Sequence, residues 1–230
     1  MANYSILITG ASQGIGKYLF EEFHCKGHKV FGTYNKTQPQ RYEEFFSKVD
    51  VNNSMSLSNW ISSIASTSEN FVLINCAGIT YNSFAHKTNL DEWNKVIDIN
   101  IKGTFNAIHA ILPYMREKGF GRIINFSSVV AQMGVPGTSA YSASKSALWG
   151  LTKTLAAENA SKGITVNSLN LGYFDIGMIK DVPQAMLNKI MESIPAKALG
   201  NPVNIFNAVR FLIDSDYVNG THIDINGGLF

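Results

Sequence analysis

The sequence predicts an α/β architecture, a parallel, doubly wound sheet with helices on both faces. Three observations predict it. Short apolar runs such as Ser5-Ile6-Leu7-Ile8-Thr9 and Phe71-Val72-Leu73-Ile74 read as strands buried on both faces. Helix-periodic stretches alternate with them along the chain. A glycine-rich stretch, Gly10 to Gly16, lies between the first strand and the first helix.

A chain of 230 residues, 45% hydrophobic, suits one large domain spanning 1–230 with a buried core. A net charge of +2 makes no electrostatic case for nucleic acid or a membrane surface. Cys25 and Cys76 form no CxxC, and His24, His28, His86, His109 and His222 form no HExxH-like pair, so neither a disulfide framework nor a metal site is expected. Met1-Ala2-Asn3-Tyr4 lacks the charged start of a signal peptide. No apolar run approaches the ~18 residues of a membrane span, so the cytoplasm is the expected location and no membrane partner is expected.

After the first strand, Thr9-Gly10-Ala11-Ser12-Gln13-Gly14-Ile15-Gly16 leads into a helical pattern from Lys17. Gly10 permits a tight turn, Gly14 lets backbone approach a pyrophosphate, and Gly16 lets helix and strand pack closely. The phosphates then meet the positive end of the helix. Lys29–Tyr34 is the second strand. An NAD site would place an acid after it, but Tyr34-Asn35-Lys36 follows. Lys36 is either a partner for a 2′-phosphate or a solvated loop lysine, and NADP(H) is favoured over NAD(H). The third strand, Phe46–Val49, ends at Asp50 and Val51, where an adenine would lie. Asp50 either accepts from the adenine amino group or caps a helix over 54–64.

Phe71–Ile74 is the fourth strand, followed by Asn75-Cys76-Ala77-Gly78, whose small residues leave room for a cofactor. Asn75 has the alternative of bonding its own loop. A helix from about Leu90 carries Asn100 and continues to Lys118-Gly119. Arg122–Ser128, Ile164–Asn170 and Thr221–Ile225 are the remaining strands, with a helix around 203–213 before the last. The segment 172–197, with weak periodicity and several Gly, Pro and Met, reads as a mobile lid.

Tyr141 and Lys145 stand four residues apart at the start of a helix running to about Ser161, so they share a face. A nearby ammonium favours a phenolate, and the tyrosine pKa is therefore expected below its ordinary value. The stretches 102–118 and 141–158 are apolar beyond one sheet-facing stripe, with Phe105, Ile108, Leu148 and Trp149 spread around the helices. They await either a symmetric partner or other helices of the chain.

Four motifs agree in order and spacing with one family: TGASQGIG (9–16), NCAG (75–78), a serine thirteen residues before the tyrosine, and YSASK (141–145). They resemble the short-chain dehydrogenase/reductase family along the whole chain. The resemblance implies a seven-stranded Rossmann fold. It makes Tyr141 the acid that protonates a carbonyl oxygen, Ser128 a hydrogen-bond partner of that oxygen, Lys145 the holder of the nicotinamide ribose, and Asn100 the holder of a relay water. The two readings together give as cofactor-binding residues Gly10, Ser12, Gln13, Gly14, Ile15, Gly16, Tyr34, Asn35, Lys36, Asp50, Val51, Asn75, Ala77, Gly78 and Gly172, with Tyr141 and Lys145.

GRIINFSSVVAQMG, ASKGITVN and YVNGTHIDINGG resemble bacterial 3-oxoacyl-acyl-carrier-protein reductases. That resemblance implies a small-molecule or carrier-bound ketone and a homotetramer. Departures are Leu171-Gly172 for the usual Pro-Gly, Ile176 for a carboxamide-holding threonine, and Gln13 for an arginine. Lys118 and Lys162 match the carrier-receiving basic residues only loosely. The alternatives are a ketone of a surface-polysaccharide or secondary-metabolite pathway, and a nucleotide-binding regulator without turnover.

Overall fold

The computed structural model describes residues 4–66 and 68–230. Seven strands form one sheet: β1 (Ser5–Thr9), β2 (Lys29–Tyr34), β3 (Phe46–Lys48), β4 (Phe71–Asn75), β5 (Gly121–Ser128), β6 (Ile164–Leu171) and β7 (His222–Ile225). Their order is β3-β2-β1-β4-β5-β6-β7, and every pair is parallel. The helices are α1 (Gly14–Cys25), α2 (Ser54–Ala65), α3 (Leu90–Ile97), α4 (Gly103–Lys118), α5 (Val130–Met133), α6 (Ser139–Asn159), α7 (Gln184–Ser193) and α8 (Pro202–Asp214).

Strand residues alternate between two cores because successive side chains point to opposite faces. Ile6 and Ile8 of β1, Val72 and Ile74 of β4, and Leu169 and Leu171 of β6 pack with α1 and α8. Leu7, Leu73 and Val166 face the other side, with α2, α4 and α6. Both faces are therefore covered, which is why these strands read as unbroken apolar runs. The winding reverses between β1 and β4, so their carboxyl ends open a crevice, the place where such sheets bind ligands.

Two local readings need correction. Asp50 does not cap α2: Asn53 does, accepting from Ser56 N–H at 3.0 Å, while Asp50 accepts from Asn52 N–H at 2.9 Å in a short loop turn. The 172–197 segment is not irregular. It forms a 3-10 turn at Gly177–Asp181 and then α7, on which Leu187, Ile190 and Met191 are partly covered while the remaining side chains are exposed. The apolar residues of α7 keep helical spacing, but Pro183 and Pro195 flank it and obscure that pattern in the sequence.

The apolar surplus on α4 and α6 is also smaller than expected. Ile108 and Leu148 are buried within the chain, and Trp149 donates its Nε1–H to Asn170 Oδ1 at 2.9 Å, whereas Phe105 stays exposed. Among the described residues, no helix is long and apolar enough to cross a membrane, and no cluster of His, Cys, Asp and Glu could hold a metal ion.

Candidate active site

The carboxyl ends of β1, β4, β5 and β6 converge on one cleft. At β1 the glycine loop turns through Gly10 at φ 65° and Gly14 at φ 55°. A Cβ on Gly10 would lie 2.8 Å from the Ala77 Cα, and one on Gly16 would overlap the Gly10 carbonyl oxygen. These contacts clamp the loop against both β4 and its own helix. Thr33 of β2 accepts from Gly10 N–H at 3.2 Å, and its carbonyl accepts from Ala11 N–H at 2.8 Å. Thr9 Oγ1 accepts from Ala77 N–H at 3.3 Å. Gln13 gives the start of α1 no side-chain cap, which leaves the first-turn N–H groups facing the cleft mouth.

At β4, Asn75 does not bond its own loop. Its Nδ2 donates to Asn125 Oδ1 on β5 at 2.9 Å, and Asn125 in turn donates to Thr152 on α6 at 3.2 Å. Among the described residues the buried Asn75 Oδ1 has no partner. Gly78 follows, so tightly placed that a Cβ would stand 3.2 Å from Asn100 Oδ1 and 3.7 Å from Lys145 Nζ.

Asn100 sits in a π-turn, Asp98–Lys102, that joins α3 to α4 as one interrupted helix. Such bulges re-aim a side chain out of the helical register. The amide is almost fully committed: Oδ1 accepts from Ile79 N–H at 2.9 Å, and Nδ2 donates to the Ile79 carbonyl at 3.0 Å and to Ser144 Oγ at 2.9 Å. Ser144 Oγ then donates to the Tyr141 carbonyl at 2.7 Å. Asn100 therefore ties the exit of β4 to the first turns of α6.

Ser128 ends β5. Its hydroxyl accepts from Val130 N–H at 3.3 Å, turning the chain into α5, and lies near enough to the Tyr141 phenol to favour its ionised form. Lys145 is buried, with Nζ donating to the Phe126 carbonyl at 2.7 Å and standing 5.5 Å from the centre of the Tyr141 ring. The expected depression of the Tyr141 pKa is absent. Burial pushes it up to about 12, against a downward pull from the Ser128 side chain, with the Tyr173 phenol adding to the rise. The ammonium is itself desolvated, and burial brings Lys145 down to about 8. Desolvation is the largest cause for both groups, Lys145 being buried and Tyr141 keeping only part of its surface open.

Of the other residues read from sequence, Val51 is buried beneath Gly103, and Gly172 is pressed against Asn226 where β6 leaves the sheet. Asn35 and Lys36 are exposed beyond β2. Lys118 and Lys162 are far from the cleft. They lie at the loops entering β5 and β6, about a strand length (~25 Å) from the carboxyl ends. Sequence reasoning missed Thr33, Asn125, Ser144 and Tyr173. Only the i, i+3 spacing of Tyr141 and Ser144 in the helix hinted at a shared face.

A family model described as short chain dehydrogenase matches residues 4–187. An acetoacetyl-CoA reductase of Rhizobium meliloti (strain 1021) is 37% identical, the match covering 97% of this chain and 97% of the relative. A 3-oxoacyl-[acyl-carrier-protein] reductase FabG of Staphylococcus epidermidis is 34% identical over 99% of each, and that of Escherichia coli (strain K12) is 34% identical over 97% of this chain and 96% of its own. With the family model and these relatives spanning the motifs and the fold alike, the chain is an oxidoreductase that belongs to the short-chain dehydrogenase family.

Proposed function

We propose that this chain reduces a 3-oxoacyl thioester to the 3-hydroxyacyl thioester, using NADPH. The observation that carries the reading is the buried Lys145, its Nζ bonded to the Phe126 carbonyl and 5.5 Å from the centre of the Tyr141 ring, with Ser128 beside them at the carboxyl edge of the sheet next to the glycine loop. The relatives named for acetoacetyl-CoA and for 3-oxoacyl-[acyl-carrier-protein] share one chemistry, a ketone β to a thioester, and that narrows the substrate class.

The cleft fits a dinucleotide. Gly10 and Gly14 hold left-handed backbone, the start of α1 offers uncapped N–H groups, and Asn75 Oδ1 is a buried acceptor awaiting a donor. Gly10 to Gly16 would hold the pyrophosphate, Asp50 and Val51 the adenine, and Asn75 to Gly78 with Lys145 the ribose and nicotinamide. The nicotinamide supplies a hydride to the carbonyl carbon when bound. With no carboxylate at Tyr34-Asn35-Lys36, nothing there opposes a 2′-phosphate.

Negative charge then builds on the substrate oxygen, and two hydroxyls are placed to receive it. Ser128 donates a hydrogen bond and Tyr141 donates the proton. A phenol with a pKa of about 12 is neutral at pH 7, so it holds the proton that reduction consumes. Lys145 spends one N–H on Phe126 and has two left for the ribose. Its charge also stabilises the Tyr141 phenolate left once the proton has been given up. Asn100 acts chiefly by position, since its amide is taken up by Ile79 and Ser144. A homotetramer formed through α4, α6 and β7 completes the proposal, with exposed Phe105 on the α4 face.

NADPH oxidation measured with acetoacetyl-CoA, an acetoacetyl carrier protein and a panel of unrelated ketones tests the reading. Turnover is expected with one or both thioesters. Turnover confined to other ketones would move the enzyme to a different pathway, and binding of NADPH without turnover of any would make it a regulator.

A further inference from the structure

We infer that Arg41 and Lys17, rather than Lys36, form the anion site that selects a 2′-phosphorylated dinucleotide. The inference rests on the NADPH reading and names the groups that would enforce it. β2 ends against the glycine loop through the two Thr33 hydrogen bonds. Beyond β2 the chain makes only a 3-10 turn at Glu43–Phe45 before β3, and residues 42–46 fold back onto α1. The Phe46 ring packs tilted against Phe20 with centroids 4.5 Å apart, and Tyr42 lies 4.6 Å from His24. Tyr42 takes a left-handed backbone, φ 61°, which turns the chain so that Arg41 stands beside α1.

The fold-back leaves a shallow recess of about 20 Å³, open to solvent, lined by Ser12 of the glycine loop, Lys17 and Glu21 of α1, and Pro39, Arg41 and Phe46 of the crossover. It lies where the loop that meets the pyrophosphate adjoins the end of β2, the place of the adenosine ribose in such folds. Lys36 does not line it. Two cations face one carboxylate, and among the described residues neither Lys17 nor Arg41 has a carboxylate within 4.0 Å. Arg41 is held from one side only: its guanidinium lies 5.0 Å over the Tyr42 ring and donates to Tyr42 Oη at 3.2 Å. A guanidinium steadied at one edge keeps its other donors for a phosphate, the ligand its planar fork suits best.

The test uses the full chain free of cofactor and titrates 2′,5′-ADP and 5′-AMP by calorimetry, so that no turnover enters the readout. Wild type should bind 2′,5′-ADP more tightly, and the margin should shrink as salt rises from about 0.05 to 0.5 M. Arg41→Ala and Lys17→Ala should each weaken 2′,5′-ADP about three- to tenfold and leave 5′-AMP unchanged, since each removes one exposed charge-assisted contact. Arg41→Lys should recover part of the loss, and Lys36→Ala should change either probe by less than about twofold. A double Arg41→Ala/Lys17→Ala protein that keeps the wild-type margin overturns the assignment, as does an equal loss for both probes. If Lys36→Ala instead abolishes the margin, the NADPH reading stands and this site falls. Equal binding of the two probes by wild type removes both.

Discussion

Replacing Asn100 with alanine separates a side chain that clamps from one that serves chemistry directly. The amide is 1% exposed and makes three hydrogen bonds, two of them to the backbone of Ile79 and the third to Ser144. Its loss leaves the Ile79 N–H and C=O unpartnered in a half-buried loop, while Ser144 keeps its bond to the Tyr141 carbonyl. Three neutral hydrogen bonds at about 0.5–1.5 kcal/mol each sum to roughly 3 kcal/mol. For a chain of this size each kcal/mol moves the melting temperature by about 2–4 °C, so Asn100→Ala should melt roughly 6–12 °C lower. The loop it frees carries Ala77, packed on Gly10, and Gly78, beside Lys145, so NADPH affinity should fall several-fold as well. Ser144→Ala breaks one of those three bonds and also the Ser144 bond to the Tyr141 carbonyl, so it should cost about 2 kcal/mol, and the two changes should be non-additive because they share a contact. Thermal unfolding by circular dichroism and NADPH titration by fluorescence read both effects. A melting point within about 2 °C of wild type, with turnover lost, would refute the clamp and return Asn100 to a direct role.

Tyr141→Phe should cut turnover by roughly 10²–10⁴-fold with little change in NADPH binding; near-normal turnover in that variant would remove the tyrosine from the mechanism. Lys145, brought down to about 8 by burial, should lose its charge as pH rises through that value, so ketone reduction in wild type should decline above pH 8 while Tyr141 stays protonated. The same shift acts on stability. The unfolded chain holds the lysine proton up to its ordinary 10.5 and the folded chain only to about 8, so this group's contribution rises with pH between those values and is lost as pH falls through 8. Its full size is about 3 kcal/mol, and denaturant melts of wild type and Lys145→Met at pH 7.5 and 9.5 should differ in slope accordingly; parallel behaviour would contradict the burial argument. Ile176, extended at φ −158° and partly buried against the α1 and α8 core, offers no hydroxyl to a carboxamide, so Ile176→Thr should tighten NADPH several-fold; unchanged fluorescence titrations would mean another group fills that role. Sedimentation at micromolar concentration should show an oligomer, and a 25.3 kDa species would exclude the tetramer.

The alternation of strand and helix was legible because it depends on local periodicity: both cores draw on consecutive residues of the same strands, as Ile6, Leu7 and Ile8 show. The glycine loop and the Tyr141–Lys145 pair were legible for the same reason, since a tight turn and an i, i+4 spacing are properties of a few adjacent residues. α7 was there to be read as well: Leu187, Ile190, Met191 and Ile194 stand at helical spacing, hidden by the prolines that flank them. Only the tertiary structure decided the rest. The sign of the Tyr141 shift depends on how much protein encloses the phenol, and no spacing in the sequence reports enclosure. The commitment of Asn100 to Ile79 joins residues 21 apart across a π-turn. The removal of Lys118 and Lys162 to the far edge of the sheet follows from strand direction alone. Arg41 reaches α1 because an aromatic cluster folds the crossover back, and the long-range packing that does so is invisible to a reading of neighbours along the chain.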